Sequence, residues 1–71
     1  MTFNYSELLG KMRAKGFTQE KLARAVGISE SSLNAKLKNK AYFSSKEICS
    51  ICGILAIPIT EIGFYFYTQY K

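Results

Sequence analysis

The punctuation between its apolar segments constrains this chain most. Asn4, Thr18, Ser29 and Ser44 each stand just ahead of a stretch with apolar residues at helical spacing, and Gly16 and Gly27 stand just behind the first two. A side-chain oxygen placed this way accepts a hydrogen bond from an N–H of the first helical turn that has no partner inside the helix. A glycine just past the last turn adopts the left-handed backbone that closes a helix. The first helix therefore follows Asn4, with Glu7 completing a capping box, Phe3 and Leu8 as staple, and Leu8, Leu9 and Met12 on its apolar face. Thr18 caps a second helix, Gln19 to Val26, stapled by Phe17 and Leu22. Ser29 caps a third, Glu30 to Lys38, with Leu33 and Leu37 on one face. Ser44 and Glu47 make another capping box, with Phe43 and Ile48 as staple, for a fourth helix carrying Ile48, Ile51, Cys52 and Leu55. Pro58 fits the first turn of a short fifth helix through Ile62. The remainder, Phe64 to Tyr70, is aromatic and β-prone. It reads as an extended strand that either packs back on the helices or pairs with a second copy across a two-fold axis. The fold class is all-α: a compact five-helix domain with an extended C-terminal aromatic tail.

Length and charge narrow what such a domain can do. Seventy-one residues make one small domain, residues 1–71, at roughly 100–200 residues per domain. A chain this short buries only about 60% of the surface it exposes when unfolded, and a 48% hydrophobic content supplies that core without disulfide staples. Net charge is +5, and it is unevenly spread. Nine of the basic residues fall between Lys11 and Lys46, opposed there only by Glu20 and Glu30, while Glu47 to Tyr70 contains no basic residue. Nucleic acid or an anionic membrane would be attracted to the cationic part.

Several classes drop out. There is no His, hence no usual general base and no usual metal ligand. No nucleophile–base pairing is visible, each Glu being assignable to a cap, a surface or a helix end, so no enzyme, cofactor or metal is expected. Cys49 and Cys52 form a CxxC, but two ligands fall short of a zinc site, and the α/β context of a redox motif is missing. Both read as free thiols acting as small core hydrophobes. The N-terminal residues show no basic start leading into an apolar run, which points to the cytoplasm. The apolar stretch from Ile48 to Tyr67 is interrupted by Gly53, Pro58, Thr60, Glu61 and Gly63, so no membrane span is expected.

Two short helices meeting at Gly27, the second flanked by basic residues, form a helix-turn-helix pattern over residues 18–38. Leu22, Val26, Ile28 and Leu33 form the wedge that sets the interhelical angle, and Ala23 is small where the helices approach most closely. The string Thr18-Gln19-Glu20-Lys21-Leu22-Ala23-Arg24-Ala25-Val26-Gly27-Ile28-Ser29 resembles the Cro and lambda-repressor-like helix-turn-helix family, whose typical pattern is T-Q-x-x-L-A-x-x-x-G-I-S. The likeness continues through Ser32 to Lys40, then Phe43 and Glu47. The ending Ile57 to Ile62 with its aromatic tail is similar to a small phage-repressor subfamily. One departure stands out: Lys36 occupies a position that is often apolar in the family, with Leu37 as the apolar partner, which implies a rotated or extended recognition helix.

The resemblance implies a five-helix, lambda-repressor-like domain that reads double-stranded DNA in the major groove with its third helix, as a phage or prophage Cro-like transcriptional regulator in a bacterial cytoplasm, at the nucleoid. The implied contact residues are Thr18, Gln19, Ser29, Glu30, Ser31, Ser32, Asn34, Ala35, Lys36, Lys38 and Lys40. Gln19 matches the family's phosphate-holding position at a helix start. With Leu33 and Leu37 inward, the wheel sets Ser31, Ala35 and Lys38 outward, flanked by Asn34 and Ser32. By donor and acceptor logic Asn34 suits adenine, Glu30 cytosine, Lys38 guanine or phosphate, and Ala35 a thymine methyl. Lys36, Lys40 and Lys46 add phosphate affinity. A single module buries little surface, so a homodimer on a palindromic operator is expected, with Phe64, Phe66, Tyr67 and Tyr70 as its seam. Two other classes stay open at this point. One is an antitoxin-like or other partner-binding protein that uses the aromatic segment; the other is a membrane-surface or redox protein.

Overall fold

The second, third and fourth helices begin where a side-chain oxygen takes over a free backbone N–H, and most helices end at a left-handed residue. A computed structural model describes residues 2–70; Met1 and Lys71, the ends of the 1–71 span, lie outside the described residues. The helices are α1 (Ser6–Ala14), α2 (Gln19–Val26), α3 (Glu30–Leu37), α4 (Ser45–Leu55) and α5 (Ile62–Phe66), with a 3₁₀ turn at Ile59–Glu61. Thr18 Oγ1 accepts from the Lys21 N–H at 3.1 Å, and Ser29 Oγ from the Ser32 N–H at 3.0 Å. The Ser44–Glu47 capping box is complete in both directions.

The first helix starts differently from expectation. Asn4 Oδ1 accepts from the Ser6 N–H at 2.9 Å and from the Ser6 hydroxyl at 2.6 Å, while the Asn4 N–H donates to the Thr68 carbonyl at 2.6 Å. Glu7 therefore has no Asn4 N–H to bind back to, and the expected box is replaced by an Asx turn.

The first four helices each close at a left-handed residue, Gly16, Gly27, Asn39 and Ala56. Gly16 and Gly27 sit at φ +79° and +90°, conformations that carry no Cβ penalty in glycine. At the end of α1 the Phe17 N–H reaches the Met12 carbonyl at 2.8 Å and the Gly16 N–H reaches that of Arg13 at 3.1 Å, the paired bonds of a Schellman motif. The same pair closes α3, where Asn39 takes the left-handed position at φ +63° and the Lys40 N–H bonds the Ala35 carbonyl at 2.8 Å. Asparagine is the second choice there after glycine, and its side chain is used as well. Asn39 Oδ1 accepts from the Phe3 N–H at 2.8 Å and Nδ2 donates to the Phe3 carbonyl at 2.9 Å, so the amide pairs with the N-terminal segment as a neighbouring strand would.

The C-terminal part departs most from the sequence reading. The fifth helix does not run from Pro58 to Ile62: Pro58 precedes the 3₁₀ turn, and α5 occupies Ile62–Phe66, taking in the first three residues of the expected strand. Burial overrides propensity here. Helical spacing brings Ile62, Tyr65 and Phe66 onto the core together, with Phe66 only 1% exposed. Burying a Phe is worth about 1.5–3 kcal/mol, against a few tenths of a kcal/mol per residue for placing aromatics in a helix. Only the end of the tail is extended. Phe3 and Gln69 form an isolated antiparallel bridge, and the Tyr70 N–H lies 3.5 Å from the Thr2 carbonyl. The tail thus packs back on its own chain.

The core comprises Leu8, Leu22, Leu33, Ile51, Leu55 and Phe66, with Tyr5, Met12, Ala23, Ile48, Cys52, Ile57 and Tyr65 around them. Edge-to-face rings join its outer layers: Phe43 lies 5.5 Å from Tyr5 and 5.4 Å from Phe66, centroid to centroid. Of the two cysteines, Cys52 is buried as expected, but Cys49 is exposed, because it lies on the outer side of α4; both are free. Among the described residues no helix is long and apolar enough to cross a membrane; the apolar stretch splits into α4 and the turn–α5 unit, bent by 114°. The radius of gyration is 11.0 Å, matching the ~11 Å of a compact chain of this length.

Candidate nucleic-acid interface

The segment between Thr18 and Lys40 holds the densest group of expected contact residues, and packing beneath it fixes their positions. Leu22 and Leu33 are fully buried, Ala23 is 1% exposed, and Val26, Ile28 and Leu37 pack half-buried against the same core. The tight junction depends on Gly27, since the Gly27 and Ile28 N–H groups both reach the Ala23 carbonyl, at 2.9 and 3.0 Å. With the apolar wedge inward, α3 presents Glu30 and Ser31 to solvent and holds Ser32, Asn34 and Ala35 half-exposed beside them.

Gln19 and Asn34 meet across the junction. Asn34 Nδ2 donates to Gln19 Oε1 at 3.2 Å, so residues assigned separate tasks from sequence form one polar unit. Nothing in their spacing along the chain announces this; it follows from the angle between α2 and α3. Thr18 and Ser29 use their oxygens as cap acceptors, and Ser29 Oγ also shares a hydrogen bond with Ser31 Oγ at 3.3 Å. Lys38 and Lys40 are exposed beyond the end of α3, as are Tyr42 and Lys46 in and after the following loop.

Lys36 is the correction within this set. Its Nζ lies 2.7 Å from Glu47 Oε2 and 3.3 Å from Ser32 Oγ, with the two side chains of the ion pair 12% and 17% exposed. It is a strut between α3 and α4 and not a free phosphate-binding cation. Nor is α3 extended to accommodate it: the helix ends at Leu37. Glu47 serves both partners, giving Oε1 to the Ser44 N–H at 2.8 Å and Oε2 to Lys36. Lys11 is also occupied, lying 6.0 Å above the Tyr65 ring. The exposed Arg24–Glu20 pair, at 3.5 Å, adds little stability.

The hydrogen bond from Lys36, followed by that from the Ser44 N–H and by the Lys36 charge, holds the Glu47 carboxyl below the usual carboxylate range. A carboxylate whose folded pKa is depressed contributes stability that is complete above its unfolded pKa, roughly 4.3, and is lost as pH falls through the folded value. Urea unfolding from about pH 6 down to about pH 3 should therefore show a larger loss of stability in the native chain than in Lys36→Met, which keeps the aliphatic stem and removes the charge. Equal slopes would contradict the strut.

The seam residues divide. Phe64, Tyr67 and Tyr70 are 51%, 52% and 62% exposed. Phe66, expected beside them, is buried in the monomer's own core and has no surface to offer a second copy; α5 turns it inward.

A family model for a protein of unknown function, DUF739, matches residues 1–69. The chain belongs to the DUF739 family. No curated protein matches it. The fold of this DUF739 chain is similar to the solution structure of the modulator of repression (MOR) of the temperate bacteriophage TP901-1 from Lactococcus lactis. The two share 36% identity over 94% of this chain and 90% of that one, with a TM-score of 0.80.

Proposed function

We propose that this DUF739 chain is a sequence-specific, double-stranded DNA-binding regulator of the Cro and lambda-repressor-like type, working in the control circuit of a phage or prophage. The observation that carries the reading is the Gln19–Asn34 bond, set at the solvent edge of a helix-turn-helix wedge made by Leu22, Ala23 and Leu33. Recognition of base edges depends on side chains held in place before DNA arrives, and a polar pair fixed above a packed hydrophobic junction meets that requirement. Gln19 at the start of α2 and the lysines beyond α3 supply phosphate contacts that set register without reading sequence. The likeness to a modulator of repression supports a regulatory role in a phage.

In this reading no cofactor or catalysis is involved, and the chain works at the nucleoid in the bacterial cytoplasm. It binds a palindromic operator as a homodimer, with Phe64, Tyr67 and Tyr70 as seam. The likeness to a modulator of repression also favours a second reading, in which the chain modulates repression through a protein partner and uses the exposed aromatics to hold it.

Selection from a random duplex library tests the first reading. A motif should be enriched at moderate salt, and its affinity should fall with log salt at a slope of about −5 if some six phosphates are neutralised. No enrichment of any motif would defeat DNA reading and leave the partner-binding alternative.

A further inference from the structure

Glu30, Ser31 and Asn34 line one open concavity on the outer face of α3, and their donor–acceptor inventory is lopsided. An ionised Glu30 accepts only, Ser31 does either, and Asn34 does both through a fixed amide. The bond to Gln19 uses one Nδ2 hydrogen of Asn34. It leaves the carbonyl oxygen and the second N–H, one acceptor beside one donor, at the concavity. No arginine lies on α3, and the basic residue closest in sequence, Lys36, is turned to Glu47.

We infer, resting on the DNA-binding reading above, that this concavity selects adenine in the major groove and that Glu30 rejects guanine there. Adenine presents N7 as acceptor and N6–H₂ as donor, which match the free N–H and carbonyl of Asn34. The other N6 hydrogen is held by thymine O4 in the base pair, so the Glu30 carboxylate shares with the Asn34 carbonyl the one N6–H that faces the groove. Cytosine satisfies Glu30 through N4 but leaves the Asn34 N–H unpaired. Guanine turns two acceptors, O6 and N7, towards a carboxylate that can donate nothing, and that arrangement is repulsive in a partly desolvated groove. Gln19 is a positioning residue in this scheme: its Oε1 fixes which way the Asn34 amide faces, while its own amide hydrogens remain for phosphate.

The test uses the full chain and the duplex enriched from a random library. A discrimination of 1–3 kcal/mol per bidentate contact corresponds to about 5- to 150-fold in affinity. Replacing the critical adenine by guanine should weaken binding by about tenfold or more, and 7-deazaadenine, which lacks the N7 acceptor, by about fivefold. Glu30→Gln can both donate and accept, so its adenine-to-guanine affinity ratio should fall by about tenfold, whatever general gain follows from losing a negative charge. Glu30 is exposed on the first turn of α3, so circular dichroism should show an unchanged fold. A guanine at the critical position, or an unchanged ratio in Glu30→Gln, would overturn the inference while leaving DNA reading intact. No enriched duplex at all would overturn both.

Discussion

Phe66→Ala should unfold or nearly unfold this protein, whereas Phe64→Ala should leave it intact. The two aromatics are neighbours but one in the same segment, yet Phe66 is 1% exposed and Phe64 is 51% exposed. Truncating a buried Phe removes its transfer free energy and leaves a cavity, together about 3–5 kcal/mol. The whole domain holds roughly 4–10 kcal/mol at 0.05–0.15 kcal/mol per residue. Thermal unfolding followed by circular dichroism should therefore move down by at least about 15 °C for Phe66→Ala, and by no more than a few degrees for Phe64→Ala. Were the tail an applied strand, as its composition suggests, alternate residues would be equivalent and both substitutions would act alike. Similar melting points for the two variants would restore that strand.

The second large effect concerns binding. Gln19→Ala and Asn34→Ala should each weaken affinity for a selected duplex by about tenfold or more, but the double variant should lose less than the product of the two. Their side chains share one hydrogen bond at 3.2 Å. Removing Gln19 frees the Asn34 amide to rotate, and removing Asn34 frees Gln19 from its base-side neighbour. The coupling should be about 1 kcal/mol, the ordinary net worth of such a bond. Gln19→Ala should consequently blur base preference as well as weaken phosphate binding. Strictly additive losses, with base preference changed by Asn34→Ala alone, would show two independent contacts.

What the sequence made legible follows from how local each signal is. Thr18, Ser29 and the Ser44–Glu47 box act within three residues, and Gly16 and Gly27 set backbone angles on their own, so the end of α1, the whole of α2 and the starts of α3 and α4 could be bounded without knowing the tertiary structure. The wedge of Leu22, Ala23 and Leu33 was equally legible, because helical spacing alone puts these residues inward. The rest depends on contacts across the fold. Lys36 looks like a solvated cation until α4 brings Glu47 against it, and Asn39 looks like a loop residue until Phe3 arrives. The α5 error has the same origin: aromatic residues favour strands only while no core competes for them. At the candidate site the residue types were legible, and their pairing was not, since Gln19 and Asn34 lie on different helices.

The join between the two ends of the chain also bears on the order of folding. Phe3 and Gln69 pair near opposite termini, and Asn39 fastens the same segment to the end of α3. Closing a loop of nearly the whole chain costs about 4 kcal/mol in chain entropy, while each helix and each neighbouring helix pair closes over a much shorter span. The helices therefore have reason to form and dock first, with the terminal clasp shutting over a bundle already in place. Such a late contact sets how long the native state lasts more than how quickly it is reached. The termini act as a latch on the rate of unfolding.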